Sequence, residues 1–154
     1  MHLVCPAGSL PALKAALQQG ADAIYVGFRD DTNARHFAGL NLDERQLETG
    51  LQLIRQRGRQ LYVAVNTYAQ PQGWARWQRA VDQAAALGVD ALIAADPGVL
   101  AYASRRHPEL NLHLSVQGSA TNAAALAFYQ QRYNIRRAVL PRVLSLAQAV
   151  SYTH

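Results

Sequence analysis

The chain is 154 residues long and half apolar, enough for one globular domain with its own core and too short for a second. Fifteen basic residues against ten acidic ones leave a net charge of +5, and fourteen of the fifteen are arginine, Lys14 being the only lysine. The single cysteine, Cys5, excludes an internal disulfide and any multi-cysteine zinc or iron–sulfur site made by these residues alone. No run approaches the roughly 20 apolar residues of a membrane span, and no signal-peptide pattern opens the chain, so a reducing cytoplasm is the expected setting.

The arginine surplus could draw RNA, an anionic metabolite or an acidic protein. The alternative is solvated helix faces, where long cationic side chains cover apolar surface. Arg45, Arg55, Arg57, Arg76, Arg79, Arg105, Arg106 and Arg132 all fall in predicted helices or at their ends, which favours the second reading and makes nucleic acid the less expected partner.

In chain order, a strand over residues 3–5 turns through Pro6-Ala7-Gly8 into a helix over about 10–19, with Ser9 as N-cap, Pro11 in the first turn and Gly20 closing it. A second strand is expected over 23–27, then a polar loop over 30–40. A helix over about 43–57 ends at Gly58. The third strand, 61–65, leads through Asn66-Thr67-Tyr68 to a helix over about 73–87, ended by Gly88. The fourth strand, 91–95, turns at Asp96-Pro97-Gly98 into a short helix over 99–106. The fifth strand is read at 112–116, a helix at 122–133, the sixth strand at 138–140, and a last helix from about Ser145.

Short strands apolar on both faces, joined by helices at intervals of about 25 to 35 residues, describe parallel right-handed βαβ units. A repeat supports this: Gly20-Ala21-Asp22-Ala23-Ile24 recurs as Gly88-Val89-Asp90-Ala91-Leu92, a glycine ending each helix and an aspartate preceding each strand. The fold class is therefore α/β, a partial (β/α) TIM-like barrel of about five to six βα units, favoured over a doubly wound sheet. Because a full barrel takes eight units, residues 1–154 are expected to be a single α/β domain that is the N-terminal part of a longer barrel, or one that closes its open edges on another chain.

In a parallel barrel the residues after each strand face one mouth. Here they are Cys5; Arg35 and His36; Asn66 and Thr67; Asp96; Gln117, Ser119, Thr121 and Asn122; and Arg142. The loop after the second strand is the richest, with two carboxylates, an amide, a guanidinium and an imidazole, and only Phe37 and Leu40 read as packing residues. Arg35 and Arg142 can each grip a carboxylate or phosphate in bidentate fashion, which suits a dianionic small molecule, or can pair with Asp30, Asp31 or Asp96. His36 is either a proton donor near neutral pH or a structural hydrogen-bonding residue. Asn66, Gln117 and Asn122 could orient a carbonyl or ring hydroxyl, although Asn122 equally suits the cap of the following helix. Cys5 reads as a buried apolar residue rather than a nucleophile, and Trp74 and Trp77, on one helical face, as packing. No Walker lysine motif, GxGxxG, HExxH or CxxC occurs, so nucleotide hydrolysis, dinucleotide binding and zinc peptidase chemistry find no support.

Cys5-Pro6-Ala7-Gly8, the Gly20 to Gly27 segment, Asn66-Thr67, the Ser115 to Asn122 segment and Val139-Leu140-Pro141-Arg142 together resemble the collagenase-like peptidase family. Asp30 through Asn41 (DDTNARHFAGLN) and Ala75 through Asp82 resemble, within it, the members of oxygen-independent ubiquinone biosynthesis. The resemblance implies a subunit of an anaerobic, O2-independent hydroxylase acting on the aromatic ring of ubiquinone precursors, with prephenate, a dicarboxylate, as oxygen donor. It implies a heterodimer with a UbiV-like protein, and a quinone precursor delivered by a lipid-binding protein. It also implies a 4Fe-4S cluster in the full-length parent, held by cysteines absent from this chain, so that the chain alone binds no cofactor and is inactive. The alternatives within and outside the family are an RNA base hydroxylase and a non-catalytic interaction module. Arg35, His36, Asn66, Gln117, Asn122 and Arg142 are the expected substrate-binding residues; no catalytic or metal-binding residue is assigned.

Overall fold

The computed structural model describes residues 1–37 and 40–151. Ala38 and Gly39 of the polar loop, and residues 152–154 beyond the last helix, lie outside the described residues. Six strands, β1 (Val4–Pro6), β2 (Ala23–Gly27), β3 (Gln60–Val65), β4 (Ala91–Ala94), β5 (Leu112–Leu114) and β6 (Ile135–Ala138), form one sheet in sequential order with every neighbouring pair parallel. Between them run helices α1 (Leu10–Gln18), α2 (Glu44–Gln56), α3 (Trp74–Ala86), α4 (Pro97–Arg106) and α5 (Ala123–Tyr133), and α6 (Leu146–Ser151) follows β6. Sequential parallel order with one helix per crossover curls the sheet into a partial (β/α) barrel, the expected architecture.

The period of two along each strand divides the side chains between two environments. Ile24, Val26, Leu61, Val63, Val65, Leu92 and Leu114 face the helices and form a dry core with Leu13, Ile54, Val81 and Leu100. The opposite, concave face carries Val4, Ala23, Tyr25, Tyr62, Ala91 and Ile93 as a smaller separate cluster.

Local chemistry sets the element ends. Ser9 Oγ accepts from the Ala12 N–H at 3.3 Å, and Asp43 and Gln46 make a reciprocal capping box at the start of α2. The aspartate of the repeated segment has the same task in both copies. Asp22 Oδ2 accepts from the Leu3 N–H and Asp90 Oδ2 from the Leu61 N–H, each at 2.8 Å, so each ties its strand to the preceding one. That backbone N–H is the main reason the Asp22 carboxyl sits below its usual range, with Arg59 adding to it against the opposing effect of burial.

Strand ends shift by one residue at β1 and β4, and three larger differences from the sequence reading have a local cause. Pro97 belongs to α4, because Asp96 Oδ1 accepts from the Val99 N–H at 3.0 Å and makes Asp96 the N-cap with proline in the first turn. β5 ends at Leu114, where Ser115 turns the chain into a short 3-10 turn over Val116–Gly118. β6 begins at Ile135 rather than 138; its two consecutive arginines hide a strand from a search for apolar runs.

Candidate functional site

The concave face and the loops above it enclose a cavity of about 540 Å³. Its walls are Tyr25, Tyr62, Ala64 and Ile93; its polar groups are Arg35, Asn66, His113, Ser115, Gln117 and Arg137. Among the described residues no carboxylate lines it.

The loop after β2 is held by its amides. Asn33 Nδ2 donates to Asn41 Oδ1 at 3.1 Å, Asn41 Nδ2 donates to the Arg35 carbonyl at 2.8 Å, and the Arg29 guanidinium donates to the Asn41 carbonyl at 2.9 Å. Asn41 sits at φ 73°, a left-handed conformation that asparagine tolerates. From below, Asn66 Oδ1 accepts from the Ala34 N–H at 3.0 Å and the Thr67 hydroxyl donates to the Asp31 carbonyl at 2.6 Å. Asp31 also pairs with Arg76 of α3. Phe37 is 66% exposed and Leu40 40%, so the packing expected of these two is supplied instead by Thr32, Asn33, Asn41 and Leu42, all buried. The physical reason is that short amides and a hydroxyl satisfy each other inside a turn too tight for an aromatic ring.

This frame sets the rim. Arg35 Nη1 donates to the Tyr25 hydroxyl at 3.3 Å. Asn66 Nδ2 donates to Gln117 Oε1 at 3.3 Å, joining the loops after β3 and β5, and the Ser115 hydroxyl reaches the same oxygen. Deeper in, Arg137 Nη1 lies 3.5 Å from the Tyr62 hydroxyl and its guanidinium carbon 5.8 Å from the Tyr62 ring centre. The His113 ring meets Tyr62 edge-on, centres 4.9 Å apart. Burial, and then the Arg137 charge, push the His113 pKa down to about 4, so the ring is neutral at physiological pH.

Of the six residues expected to bind substrate, Arg35, Asn66 and Gln117 line this cavity. The other three stand outside it. His36 Nδ1 is 2.8 Å from the Asn33 carbonyl, Asn122 Oδ1 caps α5 by accepting from the Ala125 N–H at 2.8 Å, and Arg142 is exposed beyond the end of β6. The second arginine facing the cavity with Arg35 is Arg137. Tyr25, Tyr62, His113 and Arg137 escape a reading of strands as uniformly apolar; the available signal was their position, polar or amphipathic residues mid-strand and out of phase with the core-facing ones.

Cys5 packs against the helix-facing core, away from the cavity. Among the described residues no three histidine, cysteine, aspartate or glutamate side chains converge, so this chain's own residues do not fit an iron–sulfur cluster, and no step below passes through one. A histidine–carboxylate pair does occur, His107 Nε2 to Asp82 Oδ1 at 2.7 Å with the Tyr102 hydroxyl donating to the same carboxylate, but it lies in the outer helical layer. It offers no nucleophile to the cavity. Trp77 is core, its indole N–H donating to the Thr67 hydroxyl at 3.2 Å.

A curled parallel (β/α) sheet with a polar, arginine-bearing mouth over a tyrosine-lined hollow is the architecture of a (β/α)-barrel protein with a cavity at the C-terminal ends of its strands. The model of peptidase family U32 matches residues 8–151, and the chain belongs to that family. It is 32% identical over 96% of its length to tRNA hydroxylation protein P of Escherichia coli, of which it covers 32%, and 32% identical over 96% to a collagenase of Porphyromonas gingivalis, of which it covers 34%. It is also 28% identical to the 23S rRNA 5-hydroxycytidine C2501 synthase of Escherichia coli over 96% of this chain and 22% of that one. The chain thus spans about a third or less of these curated relatives. Among solved structures, the U32 peptidase Mk0906 superposes with a TM-score of 0.79 at 16% identity over 99% of this chain and 63% of that one, a likeness of fold. No described helix is long and apolar enough to cross a membrane.

Proposed function

We propose that this chain forms the substrate-side part of an O2-independent hydroxylase acting on the aromatic ring of a ubiquinone precursor, in the manner of UbiU, paired with a UbiV-like partner and taking its oxygen from prephenate. The observation that carries this reading is the hollow itself: an apolar, tyrosine-walled volume of about 540 Å³, faced by two arginines and by no carboxylate. Such a hollow has room for a single ring and a deficit of negative charge that an organic acid would fill. The Asp30 to Asn41 loop, the segment that resembles the ubiquinone-pathway members, supports it by presenting Arg35.

In this reading the ring lies against Tyr25, Tyr62 and Ile93, Arg35 and Arg137 hold carboxylate, and the Asn66 and Gln117 amides orient a carbonyl or hydroxyl at the rim. Arg142, exposed at the end of β6, is free to meet a second carboxylate or the partner. His36 and Asn122 shape the loop and the helix that border the mouth. These residues bind, orient and shield the reacting ring.

A second reading, hydroxylation of an RNA base, is favoured by the names of several curated relatives. Two of the arginines weigh against it: Arg55 is held by the Leu87 and Gly88 carbonyls and Arg59 by Asp22, both at the strand ends away from the mouth.

The deciding experiment is anaerobic complementation. The natural full-length protein is expressed in a strain lacking UbiU, and ubiquinone is measured by mass spectrometry after growth without O2. Restored ubiquinone is the expected result. Absence of ubiquinone with soluble, cluster-loaded protein overturns the proposal, and 5-hydroxylated pyrimidines in the tRNA of the same cells would then establish the RNA reading.

A further inference from the structure

The floor of the hollow contains a group that nothing so far employs. His113 is 7% exposed, it lines the cavity, and among the described residues its ring nitrogens make no hydrogen bond. Buried imidazoles are ordinarily satisfied, so an unpartnered one at the bottom of a cavity is a group waiting for a ligand. Its surroundings set its protonation. Tyr62 meets it from β3 and Arg137 from β6, while β4 presents Ile93 and the turn after its own strand Ser115, so among the described residues the charge that faces it is positive. A neutral imidazole carries one donor and one acceptor nitrogen and can therefore pair with a hydroxyl or a carbonyl.

We infer that His113 is a specificity-determining residue of the hollow: as a neutral imidazole it hydrogen-bonds a ring hydroxyl or carbonyl of a small aromatic or cyclic carboxylic acid whose carboxylate is met by Arg137. The inference rests on the reading that the hollow binds a ring-bearing acid. It adds the discriminating contact. Arg137 supplies attraction for any such acid, and His113 selects those with oxygen on the ring, because a ligand lacking that oxygen displaces water from the ring nitrogens and returns no hydrogen bond.

The test uses two probes that differ only in a phenolic hydroxyl, 4-hydroxybenzoate and benzoate, titrated calorimetrically into the natural full-length protein. The wild type is expected to bind 4-hydroxybenzoate on the order of three- to tenfold more tightly, the worth of one hydrogen bond. In His113→Phe, which keeps a ring against Tyr62, the two affinities become equal while benzoate binding is unchanged, and in Arg137→Met both acids weaken about tenfold or more. Should His113→Phe fail to fold, His113→Leu carries the same comparison, with loss of the preference and retention of benzoate binding as the expected result. Equal wild-type affinities, or a preference that survives in His113→Phe, overturn the inference and leave the reading of the hollow intact. Binding of neither acid overturns both.

Discussion

At position 27 the chain has room for a hydrogen and nothing larger. A Cβ there would lie 1.9 Å from Asn33 Nδ2 and 2.2 Å from Asn33 Cγ, so the last residue of β2 is glycine because the amide that locks the following loop packs directly on the backbone. Gly27→Ala is expected to expel Asn33, break its bond to Asn41 and cost about 1–3 kcal/mol, read as a lowered Tm. Arg35, which that loop presents, predicts a different phenotype. Arg35→Ala in the full-length protein abolishes anaerobic ubiquinone formation with cluster content and Tm unchanged, since its side chain's one described hydrogen bond is a surface contact to Tyr25 and alanine keeps the backbone bonds. His113 predicts a pH effect with a definite sign. Its pKa is about 4 folded and about 6.5 unfolded, so between those values the unfolded chain binds the extra proton. Stability is therefore complete above pH 6.5 and is lost as pH falls towards 4, by on the order of 2 kcal/mol after allowance for water in the open hollow. Denaturant melts at pH 4.5 and 7 check this, and His113→Asn should remove that part of the slope.

Among the elements, α5 shows why residue type and position must be judged together. Asn122 lies on the mouth side of the sheet and has the chemistry of a ligand contact, yet its side chain accepts from the Ala125 N–H and so satisfies a helix terminus. Asn122→Ala is expected to cost about 1 kcal/mol of stability and Asn122→Ser far less, with affinity for acids in the hollow unaltered. Helix ends of this kind are readable in the letters: Ser9 capping α1 and Gly20 after it signal through local hydrogen bonding and turn chemistry. The first half of β6 is not, because Arg136 and Arg137 have no apolar pattern and belong to the strand through pairing with β5.

The whole molecule is a sheet with two unclosed sides. Among the described residues β1 pairs only with β2, and β6 only with β5. Phe128 of α5, Val143, and Leu146 of α6 are more than half exposed. Unpaired strand edges beside exposed apolar side chains seek a partner. The isolated 154-residue chain is expected to sediment as a self-associated species at tens of micromolar, and a stable monomer would show that these edges are protected.

By itself the sequence determined the fold class, the order and direction of the strands, most helix ends and the richness of the loop after β2. Those features follow from periodicity, turn residues and caps, which act between residues close together along the chain. Only the tertiary structure decided which side chains share the hollow. Tyr25, Tyr62, His113 and Arg137 come from four strands spread over more than 110 residues, and curling of the sheet, a property of all its strand pairs at once, is what turns them towards one another. For the same reason the arginine that joins Arg35 at the site is the mid-strand Arg137, while Arg142, in the loop that seemed the natural place for it, points outward into solvent.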